Sequence, residues 1–181
     1  MDQDLELIER FKKGDLGGFE MLVKKYQNMT VNLACGLVGN HHDADDVAQE
    51  AFLKVYHNID SFRADSKFSS WLYRITVNCA YDYLRKHKKK TVSMDEFDNF
   101  DIPDTKESGD ILAKELVQAA LQKVPYEYRS ALVLKEIEGL SYQEIAEALK
   151  ISIGTVESRI FRGRSMLKDI LTRKGVLKNE M

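Results

Sequence analysis

The chain has 181 residues, of which 31% are charged, and its net charge is −2 at pH 7. This length allows one domain or two small ones, and a net charge this close to zero excludes a uniformly basic nucleic-acid binder. The two cysteines lack CxxC spacing, which favours a cytoplasmic protein. The N-terminus is acidic and amphipathic, so we expect no signal peptide. No apolar run approaches the roughly 20 residues of a membrane span, so we expect no membrane insertion.

Apolar residues recur at helical spacing and no strand-like alternation persists, so the sequence predicts an all-α fold. Four helices are expected in the first 90 residues, interrupted at Gly14, at Gly39-Asn40 and in the polar loop 60–68. The buried stripe of the third helix comprises Val47, Ala51 and Val55, and that of the fourth comprises Leu72, Ile75, Cys79 and Tyr83.

One face of the fourth helix carries groups that suit phosphates and unstacked bases. These residues are spaced i, i+4, i+7 and i+11: Arg74, Asn78, Tyr81 and Arg85. The alternative interpretation is a solvated helix face. The helix-turn-helix pattern in residues 141–168, described below, favours the nucleic-acid interpretation. Trp71 is expected in the core, because it lies beside the apolar stripe of the same helix.

Residues 91–110 have no helical period and contain seven acidic residues against a single base, Lys106. This composition predicts an acidic flexible linker. We therefore expect two small helical domains, residues 1–90 and residues 111–181, joined by residues 91–110.

The second domain is predicted to contain a helix-turn-helix in residues 141–168, SYQEIAEALKISIGTVESRIFRGRSMLK. Ser141 and Glu144 have the spacing of a capping box, and Ser152 is placed to cap the second helix. Arg159 and Arg162 lie off the apolar stripe of that second helix, so its polar face is available to a major groove. The stripe itself comprises Val156, Ile160, Gly163, Leu167 and Ile170.

Three stretches in this order resemble bacterial extracytoplasmic-function (ECF) RNA polymerase sigma factors: DADDVAQEAFLKVY, DSFRADSKFSSWLYRITVNCAYDYLRK and GLSYQEIAEALKISIGTVESRIFRGR. The resemblance covers nearly the whole chain. It implies an N-terminal domain that melts and recognises the promoter minus-ten element and a C-terminal domain that binds the minus-thirty-five element. It also implies RNA polymerase core enzyme and promoter DNA, duplex and melted, as partners, and an anti-sigma factor as an inhibitor.

The resemblance also assigns roles to residues of the first domain. Asp46, Gln49 and Glu50 match the helix that docks on the polymerase clamp. Phe62 and the loop 61–67 match the pocket for a flipped non-template base. Asn78 matches a residue that, in this family, contacts the melted strand near that pocket.

In the second domain, Glu157, Ser158, Phe161 and Arg162 match groove-facing positions, and Arg159 is better placed for phosphates or packing. Several family members carry Arg or Lys where this chain has Glu157. Its carboxylate could accept a hydrogen bond from a cytosine amino group. It could equally do no more than complement the helix dipole.

Two other function classes are compatible with parts of the sequence. The first is an ordinary helix-turn-helix regulator, which would bind duplex DNA tightly without polymerase. Such a regulator would need a sensor domain, and the first 90 residues show no βαβ pattern of a receiver. A metal-dependent enzyme would use the cluster His41, His42, Asp43, Asp45 and Asp46. Acidic residues at a helix start are more simply explained by capping, and no nucleophile–base pair occurs, so we expect a non-enzyme without metal or cofactor.

Overall fold

The computed structural model describes residues 2–87 and 109–174, and within them the chain is helical and contains no strand. This confirms the all-α prediction. Most of the predicted linker, residues 91–108, lies outside the described residues. The helices are α1 (Gln3–Lys12), α2 (Leu16–Val38), α3 (His41–Asn58), α4 (Phe68–His87), α5 (Gly109–Lys123), α6 (Tyr126–Leu132), α7 (Tyr142–Leu149) and α8 (Ile153–Arg173).

Two short turns adjoin these helices. A 3-10 turn, Ile59–Ser61, follows α3, and a π-helical turn, Val133–Ile137, continues α6. Together, α6 and the π-helical turn form one continuous helical run from Tyr126 to Ile137. No helix among the described residues is long and apolar enough to cross a membrane.

The predicted caps of the helix-turn-helix are confirmed. The hydroxyl of Ser141 accepts the backbone N–H of Glu144 at 3.2 Å, and the Glu144 carboxylate accepts the backbone N–H of Ser141 at 3.0 Å. Ser152 accepts the backbone N–H of Thr155 at 3.1 Å and so starts α8. Lys150, with φ of 54°, turns the chain between the two helices.

Helices α1 to α4 form the first domain around a cluster of large side chains. Trp71 is only 8% exposed in this cluster, as expected for a core residue. The aromatic rings of the cluster contact one another, which fixes the chain entering α4. The buried members are Leu7, Ile8, Leu22, Val55, Ile59, Phe62, Phe68, Trp71 and Leu72.

The second hydrophobic cluster spans both domains. Across the domains, α2 contacts α5, α6 and the π-helical turn, and α4 contacts α7. Residues of α3 and α8 belong to the same cluster within their own domains. The two predicted domains therefore share a continuous apolar contact, which we call the domain seam. Its fully or nearly fully buried members include Leu33, Leu37, Tyr73, Val77, Leu121, Val133, Leu134 and Ile145.

Inside the second domain, α8 crosses α6 at a glycine. A Cβ on Gly163 would lie 2.9 Å from Cδ1 of Leu132, closer than real carbon atoms approach, so only glycine fits this crossing. Since Leu132 is itself buried, it has little room to move away.

We expect Gly163→Ala to lower the free energy of unfolding by about 1 kcal/mol. Overpacking costs about 1–3 kcal/mol, whereas alanine gains only up to about 1 kcal/mol over glycine within a helix. Gly154→Ala is the matched control, because Gly154 lies in the same helix with open space around its Cα. The control should be neutral or stabilising in urea unfolding followed by circular dichroism. Equal effects of the two substitutions would contradict the packing argument.

Candidate functional site

The outer surface of α3 carries Asp46, Gln49 and Glu50, and all three side chains are exposed. We call these three residues the α3 docking face. The opposite side of the helix is buried through Val47 and Val55, so the apolar stripe fixes which side of α3 faces solvent. The face is acidic and hydrogen-bonding, and it is available to a partner.

One end of the α3 docking face is tied to α4 through a lysine. The ammonium of Lys54 lies 3.7 Å from the Glu50 carboxylate and 3.9 Å from that of Asp82. Pairs this exposed contribute at most about 1 kcal/mol. The Glu50 carboxylate can therefore exchange this contact for one with a partner.

The polar face of α4 is the second candidate surface. Asn78 and Arg85 are exposed, Tyr81 is 50% exposed, and Arg74 is half-buried. The Arg85 guanidinium lies 3.3 Å from the carboxylate of Asp82, one turn earlier on the same helix. The face thus combines an amide, an aromatic ring and cationic groups on one rigid helix, as the sequence predicts.

Phe62 lies inside the first domain and not on its surface. Its ring is 5% exposed, with centroids 5.3 Å from the ring of Trp71 and 5.8 Å from that of Phe68. The neighbouring loop residues Arg63 and Lys67 are exposed. In this arrangement Phe62 packs beneath the loop 61–67, and the exposed side chains of the loop form the surface of the domain there.

The polar face of α8 is the third candidate surface. Glu157, Ser158, Phe161 and Arg162 are all exposed, and the ring of Phe161 is 76% exposed. Ser158 donates its hydroxyl to the backbone carbonyl of Thr155 at 2.9 Å and keeps its lone pairs free. This face of α8 thus presents a carboxylate, a hydroxyl, an apolar ring and a guanidinium to solvent.

Two arginines of α8 contact acidic residues of the same domain. Arg159 lies 3.9 Å from the Glu127 carboxylate, and the Arg164 guanidinium donates to Glu136 at 2.6 Å. The Glu136 contact further raises the pKa of Arg164. Arg162 differs from both, since it makes no ion pair with the described residues and stands exposed beside Phe161 and Ser158.

Polar contacts across the domain seam involve residues that sequence reasoning did not single out. The Tyr126 hydroxyl donates to the Val77 carbonyl at 2.6 Å, and the Tyr73 hydroxyl lies 3.3 Å from the Glu138 carboxylate. Burial and the Glu138 carboxylate both raise the pKa of Tyr73. These contacts join residues 49 and 65 positions apart, so no local sequence pattern reports them.

A third seam contact joins the loop to the helix-turn-helix. Lys67 donates to the Glu144 carboxylate at 3.1 Å. The hydrogen bonds that Ser141 donates to Glu144, together with the one from Lys67, lower the pKa of Glu144 to about 2. The carboxylate is therefore ionised throughout the physiological range and presents a fixed negative charge to the loop.

The acidic start of α3 shows capping and no metal geometry. Asn40 accepts the backbone N–H of Asp43 at 2.9 Å. Hydrogen bonds from Tyr83 and Asn40 lower the pKa of the Asp43 carboxyl. Across residues 2–87 and 109–174, no group of three or more His, Cys, Asp or Glu side chains could hold a metal ion.

Comparison with known proteins identifies the class that this fold and these three faces define. The family described as Sigma-70 region 2 matches residues 22–90, and Sigma-70, region 4, matches residues 114–167. The first match contains α3 and α4, and the second contains most of α6 to α8. Together they cover more than half of the chain.

The similarity extends along the whole chain. The ECF RNA polymerase sigma-E factor of Escherichia coli (strain K12) is 41% identical over 182 aligned positions, covering 91% of this chain and 92% of the relative. The chain therefore belongs to the ECF family of RNA polymerase sigma factors. As a member of that family, it is a promoter-specificity subunit and not a catalytic enzyme.

Two solved structures share the fold. CnrH in complex with the cytosolic domain of CnrY matches with a TM-score of 0.72 and 28% identity, covering 95% of this chain and 99% of CnrH. The sigma factor RpoE in complex with the anti-sigma factor NepR from Bartonella quintana matches with a TM-score of 0.65 and 26% identity, covering 85% of this chain and 96% of RpoE.

Proposed function

We propose that this chain binds RNA polymerase core enzyme through the α3 docking face and directs it to promoters. In this proposal α4 and the loop 61–67 capture the melted minus-ten non-template strand, and α8 reads the minus-thirty-five duplex. The observation that carries the proposal is the exposure of three chemically distinct helix faces on one ECF-family chain.

The chemistry of α4 supports the capture of single-stranded DNA. Tyr81 offers a ring on which a base can stack, and Arg74 and Arg85 offer cationic groups to the backbone. Asn78 stands exposed between them and can hydrogen-bond a base edge. Since Phe62 is buried, its part in the proposal is to hold the loop 61–67 in position for a flipped base.

The chemistry of α8 supports groove reading. Arg162 can donate to a guanine edge, and the exposed ring of Phe161 can contact a thymine methyl group. Ser158 can contact either a base or a phosphate. Arg159 is restrained near Glu127 and is better suited to a phosphate than to a base.

We infer that the chain acts in the cytoplasm, where polymerase and chromosome are found, and that an anti-sigma factor inhibits it. The support for an inhibitor is that one structural relative is described in complex with an anti-sigma factor. Co-purification of the chain from cells that do not express its target genes tests this partner.

Run-off transcription with purified core enzyme and a genomic fragment library tests the proposed function. We expect promoter-specific transcripts that are absent without the protein. Binding of the protein alone to duplex DNA should be weak, which separates this function from that of an ordinary helix-turn-helix regulator. Failure to produce any specific transcript would refute the proposal.

Gln49→Ala with Glu50→Ala is expected to weaken core binding while leaving helicity unchanged, because both side chains are exposed. Residues that anchor an interface cost more than about 1–2 kcal/mol each on truncation. Gln27→Ala with Glu20→Ala is the matched control, since it removes the same two exposed chemical groups from α2. Pull-down with core enzyme gives the affinities. Equal affinities of the two double variants for core enzyme would show that the docking surface lies elsewhere.

Asn78→Ala is expected to impair open-complex formation more than polymerase recruitment. The loss should be about 0.5–1.5 kcal/mol, the net contribution of one hydrogen bond to a base edge. Permanganate footprinting of unpaired thymines measures the opening, and a pre-melted template should restore transcription. Persistent failure on the pre-melted template would assign Asn78 to docking or folding. Phe62→Ala is a poorer test, because truncating a buried Phe costs about 3–5 kcal/mol of fold stability.

Glu157→Ala distinguishes the two roles that the sequence leaves open for this carboxylate. If Glu157 reads a base, the variant should lose about 1–3 kcal/mol of preference at one minus-thirty-five position. If it complements the helix dipole, the variant should keep its preference and lose at most about 0.3 kcal/mol of stability, because Glu157 lies beyond the first turn of α8. Selection from a randomised minus-thirty-five library measures preference, with Arg162→Ala as the variant expected to lose affinity. Identical sequences selected by wild type and Glu157→Ala would end the base-reading role.

A further inference from the structure

A cavity of about 420 Å³ lies between α4 and the second domain. Small-molecule sites typically have volumes of about 300–1,000 Å³, so this cavity has the size of such a site. Two cationic and two aromatic side chains line it, and no acidic side chain of the described residues does. The polar and aromatic residues of its wall are Tyr81 and Arg85 of α4, Gln122 of α5, and Tyr126 and Arg129 of α6.

Arg129 is the buried cation of this cavity, since its side chain is only 7% exposed. Its Nη1 donates to the Leu37 carbonyl at 2.9 Å and to the amide oxygen of Gln122. Its Nε has no hydrogen-bond acceptor among the described residues. None of the ion pairs within residues 2–87 and 109–174 involves Arg129. Both neighbours of the guanidinium are therefore neutral acceptors.

A buried cation without a counter-ion is costly, because the charge has lost its contact with water. Burial accordingly lowers the pKa of the Arg129 guanidinium. An anion in the cavity would replace the lost hydration and pair with this charge. The chemistry of Arg129 thus indicates that the ligand carries a negative charge.

The aromatic side chains indicate the second property of the ligand. Tyr81 is 50% exposed, and its ring lies 5.3 Å from the ring of Tyr126. Tyr126 is held in place by the hydrogen bond from its hydroxyl to the Val77 carbonyl at 2.6 Å. The guanidinium carbon of Arg129 lies 5.5 Å from the centre of the Tyr126 ring. An accessible ring and a buried cation are therefore connected through one fixed tyrosine.

Arg85 supplies a second cation on the exposed side of the cavity. Its guanidinium lies 3.3 Å from the Asp82 carboxylate, and both side chains are largely exposed. A pair this exposed contributes at most about 1 kcal/mol. Arg85 can therefore direct part of its guanidinium to a ligand, and guanidinium groups bind phosphate through paired N–H donors.

We propose that this cavity binds a nucleoside monophosphate. The base stacks on the exposed ring of Tyr81, and the phosphate pairs with the guanidinium groups of Arg85 and Arg129. A nucleotide combines the planar ring and the anion that the wall of the cavity accommodates. The volume lies at the lower end of the range for small-molecule sites, which suits a single nucleotide.

A nucleotide in the cavity would compete with the melted minus-ten strand, because Tyr81 and Arg85 belong to both sites. This competition rests on the proposed function of α4, whereas nucleotide binding itself does not. The cavity would then make capture of the strand depend on the concentration of a free nucleotide.

Isothermal titration calorimetry of the full chain with adenosine 5′-monophosphate (AMP) tests the site. We expect saturable binding that is at least about 10-fold tighter than binding of adenosine or of inorganic phosphate. Adenosine lacks the charge-assisted hydrogen bonds and phosphate lacks the stacking ring, and each of these contacts contributes about 10-fold or more to affinity. Absence of saturable AMP binding, or equal binding of AMP and inorganic phosphate, would overturn the proposal.

Substitutions at the two ends of the cavity locate the ligand. Arg129→Met removes the buried charge but keeps a long side chain, and we expect AMP binding to weaken about 10- to 100-fold. Tyr81→Ala removes the exposed ring and should weaken it about 10-fold, whereas Tyr81→Phe keeps the ring and should bind AMP within about 2-fold of the wild type. Circular dichroism checks the fold of each variant. Wild-type AMP affinity in both Arg129→Met and Tyr81→Ala would show that the nucleotide binds elsewhere.

A displacement experiment separates this inference from the proposed function. Fluorescence anisotropy with the full chain measures the affinity for a labelled minus-ten non-template oligonucleotide. AMP at about ten times its Kd should weaken that affinity about 10-fold in the wild type. The same AMP concentration should have little effect on Arg129→Met, which no longer binds AMP tightly. Bound AMP that leaves the oligonucleotide affinity unchanged would overturn the competition, whereas AMP binding without any oligonucleotide binding would contradict the function proposed for α4.

Discussion

Burial of the apolar side of α2 in both hydrophobic clusters is the constraint on which the arrangement of the surfaces depends. Its N-terminal half contributes Leu22 to the first-domain cluster, and its C-terminal half contributes Leu33 and Leu37 to the cluster shared by both domains. Each such side chain contributes about 1.5–3 kcal/mol on burial. Because α3 and α4 pack on α2 through their apolar stripes, their opposite faces remain exposed, and these are the faces that we propose for docking and for DNA.

Features that depend on neighbours in sequence could be predicted without a structure. Helical periodicity predicted the stripe of α8 and, by exclusion, the exposure of Arg162, whereas the outward position of Phe161 followed from the family resemblance. The caps at Ser141 and Ser152 were predictable for the same reason, since a capping hydroxyl reaches a backbone N–H only three residues away. Both kinds of feature are set within a few turns of the chain.

Features that depend on distant partners could not be predicted. Phenylalanine suits either a stacking surface or a core, and the position of Phe62 was decided by Phe68 and Trp71 in the folded domain. Likewise Lys67 and Glu144 are 77 positions apart, and each has a sufficient local explanation as a solvated or capping residue. Local sequence patterns therefore do not indicate contacts between residues that are far apart in the chain.

The exposed ring of Phe161 has a thermodynamic consequence for recognition by α8. An apolar ring in water raises the heat capacity of the unbound protein, and burying it in a groove removes that contribution. Contacts with phosphates release counterions and depend on salt, whereas contact between a ring and a thymine methyl group does not. Binding of the minus-thirty-five element through Phe161 would therefore give a negative heat-capacity change and an affinity component that persists at high ionic strength.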